Sequence, residues 1–182
     1  VHILGHPCDM DPILEAAQRY GLAVVEDATE TLGATYKGTM AGNLGDVGCL
    51  SFNGNKLITT GGGGMIVTDN EEWARRAKYL TTQAKDDPVE YIHSEIGYNY
   101  RLTNIQAALG VAQMEQLDEF IVKKRAIAAH YWEAFRELET ITVMPTQPET
   151  EPTYWLYSIL LDDATTVATR KEMIRRLNEN GI

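Results

Sequence analysis

Asp11-Pro12-Ile13-Leu14-Glu15-Ala16-Ala17-Gln18-Arg19-Tyr20-Gly21-Leu22-Ala23-Val24-Val25-Glu26-Asp27 is the stretch on which the reading of the fold turns. Asp11 is a good helix N-cap, Pro12 suits the first helical position, and Ile13, Ala16, Ala17 and Tyr20 follow at helical spacing. Gly21 ends that helix, and Leu22 to Val25 is an unbroken apolar run closing on two carboxylates. Upstream, Val1-His2-Ile3-Leu4 reads as a buried strand. Strand, helix and strand joined by short links form a right-handed crossover, so the expected fold class is α/β with a mainly parallel sheet covered on both faces.

Outward from this unit, Val47 to Phe52 and Gly64 to Thr68 read as two further strands. Asn70 can cap a following helix, with Glu71 and Glu72 in its first turn and Trp73, Ala77 and Leu80 on one face. Thr103-Asn104-Ile105-Gln106 is a capping-box pattern. It opens a helix with Ile105, Ala108, Leu109 and Ala112 on its apolar face, and a more charged helix runs from about Asp118 to Leu138. Pro145 to Pro152 is a polar link. Tyr154 to Leu161 reads as a strand, and Thr169-Arg170-Lys171-Glu172 as a second capping box for a helix closed by Gly181. The expected division is therefore residues 1–118 as part of a larger α/β domain and residues 119–182 as the start of a smaller α+β domain.

Composition narrows the function classes. Apolar residues are 44% and charged residues 23% of the 182, the balance of a globular chain rather than a disordered one. The net charge of -10 and the lack of a Lys/Arg run argue against nucleic acid as a partner, while leaving room for a local phosphate pocket. No apolar stretch is long enough for a membrane span or a signal peptide. Cys8 and Cys49 lack metal-ligand spacing and read as reduced thiols of a cytoplasmic protein, with no metal expected. The chain opens in an apolar run without Met and stops just past a helical pattern, which leads us to expect a portion of a longer protein.

Three places carry chemistry. Asp27 stands at the carboxyl end of a strand, the edge where ligands of open α/β sheets gather. It either caps the next turn or keeps a bound pyridinium nitrogen protonated. Ser51-Phe52-Asn53-Gly54-Asn55-Lys56 also follows a strand: the hydroxyl and turn amides can bind a phosphate while the lysine reaches an aldehyde. The competing reading is a surface lysine in a turn. Because a free lysine is protonated at neutral pH, imine formation requires burial or a neighbouring cation. Gly61 to Gly64 follow at once; they match neither a dinucleotide fingerprint nor a Walker loop, and they permit unusual backbone angles or close approach.

Taken in order, Glu26-Asp27-Ala28-Thr29-Glu30-Thr31-Leu32-Gly33-Ala34, the Ser51 to Lys56 segment with its glycines, and Gly97-Tyr98-Asn99-Tyr100-Arg101-Leu102 running into Ile105-Gln106-Ala107-Ala108-Leu109-Gly110 resemble three signature blocks of the DegT/StrS family of pyridoxal-phosphate (PLP) sugar aminotransferases. His6-Pro7 and Asp9-Met10-Asp11 extend the resemblance towards the start. It implies the fold-type I, aspartate-aminotransferase-like architecture, with Lys56 carrying the cofactor as a Schiff base and acting as general acid and base. It further implies Asp27 on the pyridine nitrogen, Ser51 on the phosphate, and Asn99 reaching the phosphate of the neighbouring subunit in a homodimer with shared sites. The competing reading of Asn99 is a structural turn amide. Glu30 stands where many members have Gln or His near the phenolic oxygen of the cofactor.

The function so implied is transfer of an amino group from glutamate to the keto carbon of a nucleotide-linked keto-deoxy sugar, in the synthesis of cell-surface polysaccharide or glycan precursors. The wording of Val1 to Pro7 and Thr81 to Lys85 most resembles enzymes acting on UDP-4-keto-6-deoxy-N-acetylhexosamines. Alternatives are a PLP-dependent sugar dehydratase of the same family, in which His replaces the lysine, and a non-catalytic sensor of PLP or sugar. The 182-residue chain alone is expected to be inactive. Of the remaining residues, His93 is either a solvated loop histidine or a substrate contact, and His2 is read as a satisfied core residue. Trp155 and Tyr157 are read as packing residues, and Lys123-Lys124-Arg125 as a solvated helix face.

Overall fold

The computed structural model describes residues 1–87, 89–162 and 167–182, with the side chains of 167 and 168 left aside. The first helix, α1 (Asp11–Tyr20), ends as its sequence dictates: Gly21 takes the left-handed conformation (φ 62°) and its N–H closes back on the last turn. Its start differs from expectation. Met10 is the N-cap residue and Asp11 lies inside the first turn, its carboxylate taken by Lys37 Nζ at 2.5 Å instead of by helix amides. That contact pushes the Lys37 ammonium up to about 12.

Val1 to Leu4 do not form the expected strand. The chain reverses at Leu4 (φ 59°) and Gly5 (φ 86°), leaving a single bridge between Ile3 and His6. The residue of this run that goes inside is His2, at 1% exposure, while Val1 and Ile3 face outward. The His2 amide nevertheless docks on the carbonyl of Asp27 at 3.0 Å. Gly5 is required at its place, since a Cβ there would stand 2.3 Å from the amide nitrogen of Trp155.

Strand β1 (Val25–Asp27) is followed by the short hairpin β2 (Thr35–Tyr36) and β3 (Thr39–Met40), then by β4 (Val47–Ser51) and β5 (Gly64–Val67). The main sheet runs β1-β4-β5. β1 pairs parallel to β4 with Asp27 beside Cys49, and β5 returns antiparallel with Gly64 beside Ser51. The sheet is thus mixed rather than mainly parallel among the described residues. The segment between β4 and β5 holds a tight turn and the glycine run but no helix, so the chain comes back as a neighbour of opposite sense. Gly61 and Gly63 use positive φ there, and Gly64 lies against the Leu50 carbonyl where a Cβ would be 2.4 Å away.

Buried Glu26 orders the approach to β4. It accepts hydrogen bonds from the amides of Gly42 (2.8 Å), Leu44 (2.6 Å) and Gly45 (2.5 Å), and lies 2.8 Å from His2 Nε2. Burial alone would raise its carboxyl; the hydrogen bonds from His2 and the three amides outweigh that and hold it below the usual glutamate range.

Helix α2 (Glu71–Thr81) is capped by Asn70, whose side chain accepts from the amides of Glu72 and Trp73. Helix α3 (Asn104–Met114) opens with the complete Thr103–Gln106 capping box. Helix α4 (Leu117–Phe135) runs across residues 118 and 119. Beyond it come β6 (Ile141–Val143), β7 (Thr150–Glu151), β8 (Ile159–Leu161) and α5 (Val167–Glu179). The Pro145 to Pro152 link is not a free tether, because β7 pairs with β2. Only Ile159–Leu161 of the expected 154–161 strand is paired, against β6. Thr169 already lies within α5, so it does not cap it.

A core of Phe52, Ile58, Leu117 and Ile121, flanked by Leu32, Leu50, Leu57 and Phe120, joins the turn after β4 to α4. Each such fully buried aliphatic or aromatic side chain contributes roughly 1.5–3 kcal/mol. The turn carrying Lys56 is therefore seated on packed apolar side chains. Among the described residues no helix is long and apolar enough to cross a membrane.

Candidate active site

The carboxyl ends of β1 and β4 lie side by side and deliver Asp27 and Ser51 to one edge of the sheet. After Ser51 the chain makes a turn closed by the Lys56 amide on the Asn53 carbonyl (3.0 Å), with Phe52 and Ile58 anchored in the core. Ser51 Oγ accepts from the Asn53 amide at 3.4 Å, a long bond that leaves the hydroxyl proton uncommitted to it.

Lys56 points inward: its side chain is 13% exposed. Its Nζ lies 3.8 Å from Glu30 Oε1 and 4.0 Å from the centre of the Trp155 ring. The charge that meets it is a carboxylate rather than a cation. Glu30 is held from behind, its Oε2 accepting the Leu4 amide at 2.7 Å. Asp27 Oδ1 accepts from both the hydroxyl (2.7 Å) and the amide (3.2 Å) of Thr29. The Thr29 hydroxyl, opposed by burial and aided by the Thr29 amide and Lys56, holds the Asp27 carboxyl below the ordinary aspartate range. Among the described residues no hydrogen bond reaches its Oδ2, so one carboxylate oxygen can face a ligand.

Asp27, Glu30, Ser51 and Lys56 thus share one region, and Asn99 does not join them. It is exposed and forms a bridge with Thr82 beyond α2, and the rings of its chain neighbours Tyr98 and Tyr100 stack on each other with centres 5.2 Å apart. His93 Nδ1 donates to the carbonyls of Gln83 (2.8 Å) and Ala84 (3.2 Å), where the backbone takes positive φ; it ties a loop together. His2 is satisfied in the core, accepting the Cys8 amide at Nδ1 (3.1 Å).

Two readings change. Lys124 and Arg125 are not a solvated face: Lys124 Nζ donates to the Trp155 carbonyl (3.0 Å), and Arg125 to the carbonyls of Pro152 (3.0 Å) and Glu151 (3.3 Å). Burial pushes the Lys124 ammonium below the usual lysine range. Trp155, read from sequence as a strand packing residue, sits outside any strand with its ring over Lys56 and its indole N–H on the Asn55 carbonyl (2.7 Å). No periodicity marks it, because the left-handed Tyr154 (φ 48°) beside it breaks the extended pattern. A cleft of about 370 Å³ bordered by Lys56, Phe120, Lys123 and Lys124 opens next to this cluster. Among the described residues no group of three or more His, Cys, Asp or Glu is arranged to hold a metal ion.

Comparison with known proteins shows the family of the chain. The DegT/DnrJ/EryC1/StrS aminotransferase family matches residues 1–182. The chain is 42% identical to the GDP-perosamine synthase of Caulobacter vibrioides, covering 100% of this chain and 49% of that protein. It superposes on Streptomyces venezuelae DesV in complex with a ketimine intermediate with a TM-score of 0.89 at 34% identity, covering 100% of this chain and 47% of that one. It also matches an E. coli GDP-4-keto-6-deoxy-D-mannose-3-dehydratase with bound hydrated PLP at a TM-score of 0.88 and 27% identity, covering 100% of this chain and 50% of that one. The chain spans about half the length of the curated relatives it matches. With its fold that of the PLP-dependent aminotransferases and its whole length matched, the chain belongs to the DegT/DnrJ/EryC1/StrS aminotransferase family.

Proposed function

We propose that this chain carries the catalytic lysine of a PLP-dependent aminotransferase that moves an amino group from glutamate to the keto carbon of a nucleotide-linked keto-deoxy sugar. The product serves cell-surface polysaccharide or glycan synthesis in the cytoplasm. The observation that carries this reading is the inward-facing Lys56 at the sheet edge that also presents Asp27. The division into a cofactor-binding part (residues 1–118) and the start of a small domain (residues 119–182) belongs to the same reading.

The residues suit the cofactor. Lys56 would hold it covalently through Nζ. Asp27, kept anionic by Thr29 and with no hydrogen bond to Oδ2 among the described residues, would pair with the pyridine nitrogen. Ser51 would donate to the phosphate, and Glu30 would border the phenolic oxygen. PLP supplies an electron sink for a carbon that must lose or gain a proton. Lys56, freed from the cofactor once the amino donor is bound, would carry that proton between the substrate carbon and the C4′ carbon of the cofactor, which requires its amine to be neutral in turn. Asn99, exposed and bridged to Thr82 in its own chain, would serve the phosphate site of the partner subunit in a homodimer.

The substrate class is supported by the relatives named for GDP-perosamine and a dTDP-aminosugar. A lysine at position 56 favours amino transfer over dehydration, given that the dehydratases of the family have His there. Incubating the protein with PLP, reducing with borohydride and mapping the adduct tests the reading. The pyridoxyl group should fall on Lys56 and vanish in Lys56→Ala. Equal labelling of all the lysines would sink it.

A further inference from the structure

Lys56 does not stand alone in its recess. Glu30 Oε1 approaches Nζ from one side at 3.8 Å, and the face of the Trp155 ring covers it with its centre at 4.0 Å. Both holders are anchored independently of the lysine. Glu30 is fixed by the Leu4 amide (2.7 Å). Trp155 is fixed by its N–H on Asn55 (2.7 Å), by Lys124 on its carbonyl (3.0 Å), and by the Leu156 amide on the Leu4 carbonyl (3.4 Å). Leu4 thus supports both, and the ring arrives from the segment after β7, far along the chain from the lysine it covers.

We infer that Trp155 is a positioning residue for Lys56: with Glu30 it clasps the ammonium form of the amine before a carbonyl partner arrives, and it acts by charge attraction rather than as a steric plug. The inference rests on the assignment of Lys56 as the reactive lysine. An aromatic face attracts a cation and not a neutral amine, and a carboxylate does the same. The neutral amine is the form that attacks a carbonyl carbon. The clasp therefore holds the side chain in place at the cost of slowing its reaction until cofactor or substrate displaces the ring. Because the ring is carried by the segment that Lys124 grips from α4, movement of that segment would release the lysine.

The test uses the cofactor-free protein and a small aldehyde. Formaldehyde with cyanoborohydride methylates amines through the neutral form, and the peptide bearing Lys56 is quantified against that bearing exposed Lys78. Near neutral pH, Trp155→Leu should raise the Lys56 to Lys78 ratio about fivefold, the equivalent of about 1 kcal/mol for a partly desolvated cation over a ring. Trp155→Phe, which keeps an aromatic face, should stay within about twofold of the wild type. In strongly alkaline solution, where the amines are neutral throughout, the gain in Trp155→Leu should disappear. An unchanged ratio near neutral pH, or a gain that persists in alkali, overturns the inference, the latter by showing a steric cover.

If Trp155→Leu does not fold, a chain with Trp73 and Trp132 replaced by Phe isolates the emission of Trp155. Lys56→Met should then alter that emission, and an unaltered spectrum overturns the inference. PLP is used in neither experiment. Failure to form a Lys56 adduct with the cofactor would therefore count against the proposed function alone, and an unchanged methylation ratio against the clasp alone.

Discussion

His2 Nε2 lies 2.8 Å from Glu26 Oε2, and both side chains are 1% exposed. Since the Cys8 amide donates to Nδ1, the ring proton is on Nε2 and points at the carboxylate. Glu26 is the acceptor for that proton and for three amides of the 42–45 loop, so it welds the start of the chain to the approach of β4.

Stability should fall in acid through this group. The Glu26 carboxyl is held below its ordinary value of 4.5, so the folded state binds that proton less readily than the unfolded one. Its contribution is complete above the ordinary glutamate range and is lost as pH falls through the lowered folded value. Glu26→Gln removes the charge while keeping the volume, and turns an amide donor towards donors. It should cost about 3 kcal/mol, the scale for breaking a buried pair. Urea midpoints measured against pH check both statements; a variant as stable as the wild type at neutral pH would refute the weld.

Thr29→Val should alter the site without unfolding it. The hydroxyl is the main influence holding Asp27 below the aspartate range, and Val has nearly the same shape. Without it the Asp27 carboxyl rises towards its ordinary value. The acid limit of PLP binding, followed by absorbance against pH, should therefore move to higher pH than in the wild type. An acid limit at the same pH in both proteins would remove Asp27 from the cofactor site.

What could be read from sequence was local. The Asn70 cap, the Thr103–Gln106 box and the Gly21 stop each depend on a few neighbouring residues, and each stands where its pattern placed it. Asp11 broke the same kind of rule because Lys37, from another element, claimed its carboxylate. Val1 to Leu4 were apolar enough for a strand, yet the reversal at Leu4-Gly5 is set by close packing against Trp155, which no local pattern records. The gathering of Asp27, Ser51 and Lys56 was legible because strand ends and turn residues mark a sheet edge. Trp155 was not, since its role comes from a contact a hundred residues away in the chain.

The turn bearing Lys56 should depend on the core beneath it. Ile58 is 2% exposed and packs with Phe52, Leu117 and Ile121. Ile58→Ala removes three carbons from a filled space and should cost about 2–5 kcal/mol in a urea titration. Hydrogen exchange of the Lys56 amide, which is bonded to the Asn53 carbonyl, should accelerate in the same variant. A loss of stability with no change in that exchange would show that the turn holds its shape without the core.

Neighbouring cations of α4 should separate cleanly by what they touch. Lys123 pairs only at the surface with Glu119, both about 62% exposed, and Lys123→Met should change stability by less than about 0.5 kcal/mol. Arg125 instead donates to the carbonyls of Pro152 and Glu151, the point where the chain after β7 meets α4. Charged hydrogen bonds contribute about 1.5–3 kcal/mol each when shielded, and partial exposure brings Arg125→Met to about 1–2 kcal/mol. Lysine at 125 should recover little, because a single ammonium cannot span two carbonyls as the guanidinium fork does. Denaturation curves of the three variants decide the matter: equal stabilities for Lys123→Met and Arg125→Met would show that the carbonyl grip contributes nothing to the fold.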